Sequence, residues 1–168
     1  MPKGKDFFAE LNWHKATGKS IKLRHQPSKK YAGSGAQGLI NGIAGSDTRY
    51  ADKEWIGFSG KNFEATIDLG EKTSIDELTL RFFDGPTQWI YLPKKVEIST
   101  SLDGKKFTVL SQLDSLVAKE KVSTSSLLFE HVETHFLKIK AENYGTIPDG
   151  NEGAGHKAWL FVDEIVVK

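Results

Sequence analysis

The chain contains no cysteine and a single methionine. Without a thiol there is no disulfide framework, no thiolate metal site and no cysteine nucleophile, and the cysteine count gives no information on compartment. No apolar run reaches membrane-spanning length. Residues 1–11 carry Lys3, Lys5, Asp6 and Glu10 and lack the apolar stretch of a signal peptide. These absences predict a chain that is soluble as it stands and makes no contact with a membrane. Such a chain is either cytoplasmic or a piece of a larger secreted protein. An excess of one charge is also missing: 23 Lys+Arg face 22 Asp+Glu, a net charge of +1. No field of that size holds a polyanion by counterion release, which excludes nucleic acid as an expected partner. The basic residues near the start (Lys15, Lys19, Lys22, Arg24, Lys29, Lys30) are interspersed with Ser, Gly and Pro and read as a solvated face.

Helical periodicity is nearly absent too, and what fills its place is period-2 alternation. Phe63, Ala65, Ile67 and Leu69 share one face of a strand, and Ile75, Leu78, Leu80 and Phe82 lie in a second apolar run. Val96 and Ile98 lead into Asp103-Gly104, after which Phe107 and Val109 resume the alternation, as in a hairpin closed by an Asp-Gly turn. Further strands are expected over 20–23, 127–131, 136–141 and 159–167, between clusters of Gly, Pro, Asn and Asp. The stretch 112–119 offers at most one uncapped helical turn. The 168 residues suit one core. About eight short strands predict an all-β sandwich or jelly roll. Two long segments, 33–60 and 143–157, are rich in Gly and polar groups yet hold Arg49, Tyr50, Trp55, Tyr144 and His156. Loops of that length with embedded aromatics read as functional.

Several motifs imitate chemistry. Gly33-Ser34-Gly35-Ala36-Gln37-Gly38 has dinucleotide-fingerprint spacing but neither the preceding apolar strand nor the following long helix. Gly18-Lys19-Ser20 resembles the end of a P-loop, yet the opening glycine falls on Trp13, so it reads as a turn before a strand. His131 and His135 stand four apart as on a metalloprotease helix. However, Glu133 is one position late for the general base, and the flanks read as strands. Asp163-Glu164 is a carboxylate pair whose members, adjacent in a strand, point to opposite faces rather than across a sugar. An enzyme reading therefore reduces to Asp84, Glu133 or Asp163 as an isolated acid or base. The expectation is that this chain carries no catalytic centre.

The segments Leu39-Ile40-Asn41-Gly42-Ile43-Ala44-Gly45, Trp55-Ile56-Gly57-Phe58, Phe63 through Gly70, Ser101 through Phe107 and Trp159 through Ile165 occur in one order. In that order they resemble a discoidin, or coagulation factor V/VIII type C, domain. A variant it resembles is the module at the C-terminal end of bacterial chitobiases and other β-N-acetylhexosaminidases of glycoside hydrolase family 20, related to carbohydrate-binding module family 32. The resemblance covers 16–168, with 1–15 as an N-terminal extension. It implies an eight-stranded antiparallel jelly-roll β-sandwich of the galactose-binding-domain-like kind, with a glycan held in loops at one end. It also implies a hydrolase domain as partner in a secreted, periplasmic or cell-surface parent. The family-20 hydrolase signature does not occur in this chain.

Sugars are held by aromatic faces and by planar polar side chains. The loop from Phe83 to Pro93, together with Arg49-Tyr50 and Asn143-Tyr144, supplies both, which marks Trp89, Tyr144, Arg49, Asp84, Asn143 and His156 as the expected ligand contacts. The expected ligands are terminal galactose, N-acetylgalactosamine and N-acetylglucosamine. Trp89 could equally be a lid on Pro93, Tyr144 a loop anchor and Arg49 a solvated charge, in which case the chain is a structural or protein-docking domain. Trp55 and Trp159 are assigned to the core. The resemblance further implies a structural Ca²⁺. Matching motif to motif places its ligands at Asn41 and Glu164, with a carbonyl near Gly38 and a group at Ser46 or Asp47. Asn41 brings an uncharged oxygen where the family pattern has Asp, which leaves a weak, lost or monovalent site open.

Overall fold

A computed structural model describes residues 13–168, which form seven strands and three short 3-10 turns. The strands are β1 (Ser20–Leu23), β2 (Ile56–Ser59), β3 (Phe63–Phe83), β4 (Lys95–Ser101), β5 (Thr108–Leu113), β6 (Val122–Glu142) and β7 (Trp159–Val167). Every pairing between them is antiparallel, in the order β2-β7-β3-β6-β4-β5, with β1 alongside β3.

The count falls one short of the expected eight because two expected pairs of strands are continuous, which removes two, while β2 adds one that was not expected. β3 takes in both apolar runs around Gly70, and β6 takes in 127–131 and 136–141 around His135. The two pair with each other on both sides of a bend, where the register skips between Asp68 and Thr73 and again between Ile75 and Glu77. These irregularities switch the buried face from odd positions (Phe63, Ala65, Ile67, Leu69) to even ones (Leu78, Leu80, Phe82). The first half of β3 pairs with β1 and the end of β6; the second half pairs with β7 and the start of β6. The sheet thus folds over into two layers, and one cluster of buried side chains takes residues from both halves. Phe58 of β2 meets Phe63 of β3 across it, ring centroids 5.6 Å apart. Each such side chain withdrawn from water contributes about 1.5–3 kcal/mol before entropy is set against it.

β7 is buried on both faces. Leu160, Val162, Ile165 and Val167 enter the main core, whereas Phe161 packs with Trp55, Phe83, Ile90 and Val122 under Tyr31 and Tyr50 of the 24–55 segment. That segment is therefore a cover over the outer layer, and β2 follows directly after it. In the sequence β2 reads as part of a loop, because four residues interrupted by Gly57 carry no legible alternation. The glycine is needed for contact: a Cβ there would sit 2.5 Å from the Phe161 ring.

The other local expectations are met. The β4–β5 hairpin turns at Gly104 (φ 77°), with the Asp103 carboxylate accepting the N–H groups of Lys105 and Lys106. Gly33 to Gly38 leads into a 3-10 turn, Ala36–Ile40, and not a long helix. Gly18 turns the chain into β1, and residues 114–118 form no helix. His131 and His135 lie in β6, where they bond Ser74 and Asp68. Residues 1–12 of the expected extension lie outside the described residues. Its described end belongs to the sandwich, since Lys15 N–H donates to Val167 O at 2.9 Å and the His14 side chain is buried.

Candidate functional site

Because the bend lies at one end of the layers, the connections at the other end gather into an apex. They are the loops 84–94, 114–121 and 143–158, joined by residues 48–51 of the cover. The first opens with a 3-10 turn, Pro86–Gln88, that ends on Trp89 in the left-handed region (φ 64°). Trp89 O accepts Trp159 N–H at 2.8 Å and Tyr91 N–H donates to Trp159 O at 3.0 Å, which ties this loop to the start of β7. The third loop closes on itself through Ile147 N–H to His156 O and Ala158 N–H to Gly145 O.

Side chains of these two loops stack in pairs. Trp89 lies on His156 with centroids 4.2 Å apart and planes 17° apart; Tyr91 lies on Tyr144 at 4.8 Å and 12°. Tyr91 Oη donates to Glu152 O at 2.8 Å. Gly153 has φ 79°, and a Cβ on it would come within 2.4 Å of the Trp89 ring, so only glycine lets the loop lie against the indole. The structure therefore brings Trp89, Tyr144 and His156 together at one end, Trp89 and Tyr144 half-buried and His156 exposed.

The other expected contacts divide. Asp84 is half-buried beside this group, its N–H donating to Lys121 O at 2.7 Å, and burial pushes its carboxyl above the usual range. Asn143 is an anchor and not a ligand contact. Its Nδ2 donates to Lys61 O and Ala158 O, and its Oδ1 accepts Gly145 N–H, which occupies the amide inside the loop base. Arg49 lines a separate recess of about 270 Å³ with Thr48, Tyr50, Ala51, Phe83, Gln88 and Lys121. Tyr50 is edge-on to Phe83 and Phe161, at 6.0 and 5.6 Å. The recess adjoins the stacked pairs through Gln88, the neighbour of Trp89. Gln88, Tyr91 and Lys121 were absent from the expected contacts, and Lys121 follows no pattern that would have marked it.

At the expected cation site, Glu164 is 3% exposed. Its Oε2 accepts Gly42 N–H at 2.9 Å and faces His14 Nε2 at 2.8 Å. His14 Nδ1 accepts Ala16 N–H, so Nε2 carries the proton and donates. Glu164 Oε1 is buried without a partner among the described residues. Asn41 donates Nδ2 to buried Glu54 Oε1 at 2.9 Å and accepts Ile43 N–H, while Gly38 is buried just upstream. Burial, reinforced by Glu54, drives Glu164 up to about 9. Ser46 and Asp47 do not join this group: Ser46 Oγ accepts the N–H groups of Thr48 and Arg49, and exposed Asp47 pairs with Arg81 at 2.8 Å. They are corrected out of the ligand set, because the loop turns outward after Gly45.

Arg81 instead belongs with Asp163, its Nε 3.5 Å from Oδ2, which also accepts Gly45 N–H at 2.7 Å. In the β3–β7 ladder Leu80 pairs with Ile165 and Phe82 with Val162, so Asp163 and Glu164 together oppose Arg81. Both carboxylates hold the 42–45 turn and are out of reach of a sugar. Glu133 sits near the bend and Asp84 at the apex, so the three acids of the enzyme reading form no facing pair.

The fold is an antiparallel jelly roll with its long loops at one end, and the family's sequence profile matches residues 20–159. The chain belongs to the F5/8 type C domain family. No curated protein sequence matches it. Among solved structures it is similar to the lectin domain of lectinolysin complexed with Lewis B antigen (TM-score 0.62, 16% identity, 94% of this chain and 97% of that one). Chitosan-binding module 1 of a chitosanase/glucanase from Paenibacillus sp. IK-5 is also similar (0.60, 11%, 92% and 98%). So is a family-32 module from Clostridium perfringens in complex with GalNAc-β-1,3-galactose (0.57, 15%, 88% and 93%). At these identities the likeness establishes the fold, which is that of carbohydrate-binding modules.

Proposed function

We propose that the chain is a non-catalytic glycan-binding module that holds a terminal galactose, N-acetylgalactosamine or N-acetylglucosamine at its apex. In this reading it tethers a chitobiase-like β-N-acetylhexosaminidase, in an exported parent protein, to its substrate. The observation that carries it is the meeting of Trp89–His156 and Tyr91–Tyr144 at the loop end, beside a recess edged by Arg49 and Gln88. Aromatic faces there accept pyranose C–H groups, and the amide and guanidinium bond hydroxyls. Tethering of this kind works at weak affinity because it acts through local concentration. The motif order around Asn41, Asp103 and Trp159 supports the hydrolase parent. The test is a glycan array spanning those three termini, repeated with Trp89→Ala and Tyr144→Ala. Retention on one class, lost in both variants while the melting transition persists, supports the reading. Unchanged retention would move the function to a protein-docking surface, which the mutual stacking of the rings also suits.

The same reading includes a structural Ca²⁺ beside Glu164. Glu164 Oε1 has no partner among the described residues, Glu54 is buried next to Asn41, and burying two carboxylates calls for a compensating cation or proton. No three acidic or imidazole side chains converge as a metal cluster among the described residues, so the ion would draw mainly on main-chain oxygens near Gly38 with Glu164 and Asn41. Bound there, it would neutralise buried charge and fasten the 38–45 turn to β7. Melting with calcium or with a chelator checks this: a higher transition in calcium supports the ion, and identical transitions remove it.

A further inference from the structure

The Arg49 recess differs in charge from the neighbouring recesses among the described residues. Its floor is aromatic, Tyr50 and Phe83, and its two charged lining residues, Arg49 and Lys121, are both basic. No carboxylate lines it. Elsewhere the molecule mixes signs at short range, as in Lys140 beside Glu64 or Arg81 between Asp47 and Asp163. Arg49 is 75% exposed, and its one ion-pair partner among the described residues, Asp52, stands at a stretched 3.8 Å. Arg49 also edges the adjoining recess, which holds Asp47, Asp52 and Arg81. Most of the guanidinium fork is therefore unspent. Lys121 makes no ion pair among the described residues, and its backbone is fixed by Asp84 N–H bonding its carbonyl and by Val122 opening β6.

From this arrangement we infer that the recess selects an acidic sugar, its carboxylate or sulfate set between Arg49 and Lys121 and its ring on Tyr50. The inference rests on the glycan-binding reading of the apex and adds to its neutral termini a second ligand class, the acidic sugars. A planar guanidinium offers two parallel N–H donors to such an anion while the ammonium acts as a point charge, and both bonds are charge-assisted. A neutral sugar uses the aromatic floor equally well but leaves both cations without a counter-charge. The two cations therefore set specificity and salt dependence more than they set adhesion.

The experiment titrates the whole chain with neutral and acidic partners of one skeleton: lactose against sialyllactose, galactose against galactose 6-sulfate, and trigalacturonate. The variants are Arg49→Gln, Lys121→Gln and, as a charge-matched control in the hairpin turn at the opposite end, Lys105→Gln. The acidic partners bind about tenfold more tightly than the neutral ones, and each of the first two substitutions removes about tenfold. Lys105→Gln changes nothing, and the preference shrinks as NaCl rises from about 50 to about 500 mM. The sialyl, uronate and sulfate arms separate carboxylate from sulfate recognition. Equal binding of the two partners, or acidic binding indifferent to Arg49→Gln and Lys121→Gln, overturns the inference and leaves the glycan reading standing. Absence of binding to every saccharide overturns both.

Discussion

Substituting Gly153 by alanine should disable the apex while sparing the sandwich. Two costs meet at this position. An L-residue held at φ 79° costs about 1–3 kcal/mol. The added methyl would also lie 2.4 Å from Trp89 Cδ1, so the indole must leave His156 or the loop must lift. Trp89 sits beyond the ladder, at the end of a 3-10 turn, and yields more readily than β3 or β7 does. Part of the strain is then released by moving the ring, and the melting temperature falls by about 2–10 °C at the 2–4 °C per kcal/mol expected for this size. Glycan retention falls further than stability does, because the platform itself is displaced. Calorimetric melting and binding to an immobilised N-acetylhexosaminide, measured on the same preparation, separate the two effects. A variant that melts and binds like the wild type shows that Gly153 does not hold the indole. One that loses stability but binds normally shows that the Trp89–His156 pair is not the sugar platform.

Three other outcomes follow from single contacts. Asn143→Ala leaves Lys61 O and Gly145 N–H without their partner inside the loop base, takes one of two donors from Ala158 O, and should cost about 2–4 kcal/mol; a loss below about 1 kcal/mol in denaturant unfolding contradicts the anchoring role. Gly57→Ala forces a methyl to within 2.5 Å of the Phe161 ring and should cost about 1–3 kcal/mol by overpacking, with unchanged stability as the refuting result. The Asp103 carboxyl is held below its ordinary range by the N–H groups of Lys106 and Lys105 and by Ser101. A depressed folded value means that the charge favours the folded state above the unfolded carboxylate range and stops doing so as pH falls through the lowered value. The melting difference between wild type and Asp103→Asn should therefore be full at pH 5 and shrink on acidification through about pH 4 and below; a difference independent of pH refutes the assignment.

The fold was legible where burial is one-sided. Phe63, Ala65, Ile67 and Leu69 alternate because water lies on one side of β3, and Asp103-Gly104 marks its hairpin by local turn chemistry alone. The joins of β3 and β6 were not legible, because the polar stretches at the bend look like turns even though the chain crosses it hydrogen-bonded. At the apex, the meeting of Trp89, Tyr144 and His156 was legible because aromatics in long loops need a reason to be there, and packing on one another is one such reason. Asn143 was misread for the same reason: an amide in a loop looks identical whether it serves a ligand or the loop. The place of Lys121 in the Arg49 recess was not legible, because a cation beside an aromatic floor from a different segment is a relation that sequence spacing does not encode.

The buried acids Glu54, Asp163 and Glu164 explain why the apex needs so elaborate a support. Asp163 is driven up to about 7 by burial despite Arg81 nearby, and Glu164 higher still. A core without these charges would be cheaper to form, since replacing buried ionic groups by apolar ones is often neutral or stabilising. Their effect is directional instead: Oδ2 of Asp163 takes Gly45 N–H, Oε2 of Glu164 takes Gly42 N–H, and the bulge opposite Arg81 brings both acids to the same turn. A hydrophobic contact would fasten that turn without fixing its rotation, whereas two hydrogen bonds from successive acids define it. From the clamped turn the chain runs through Ser46, whose carbonyl accepts the indole N–H of Trp55, to Arg49 and Tyr50. The Arg49 and Tyr50 side of the recess is thus set from the centre of β7, without being carried on a regular strand.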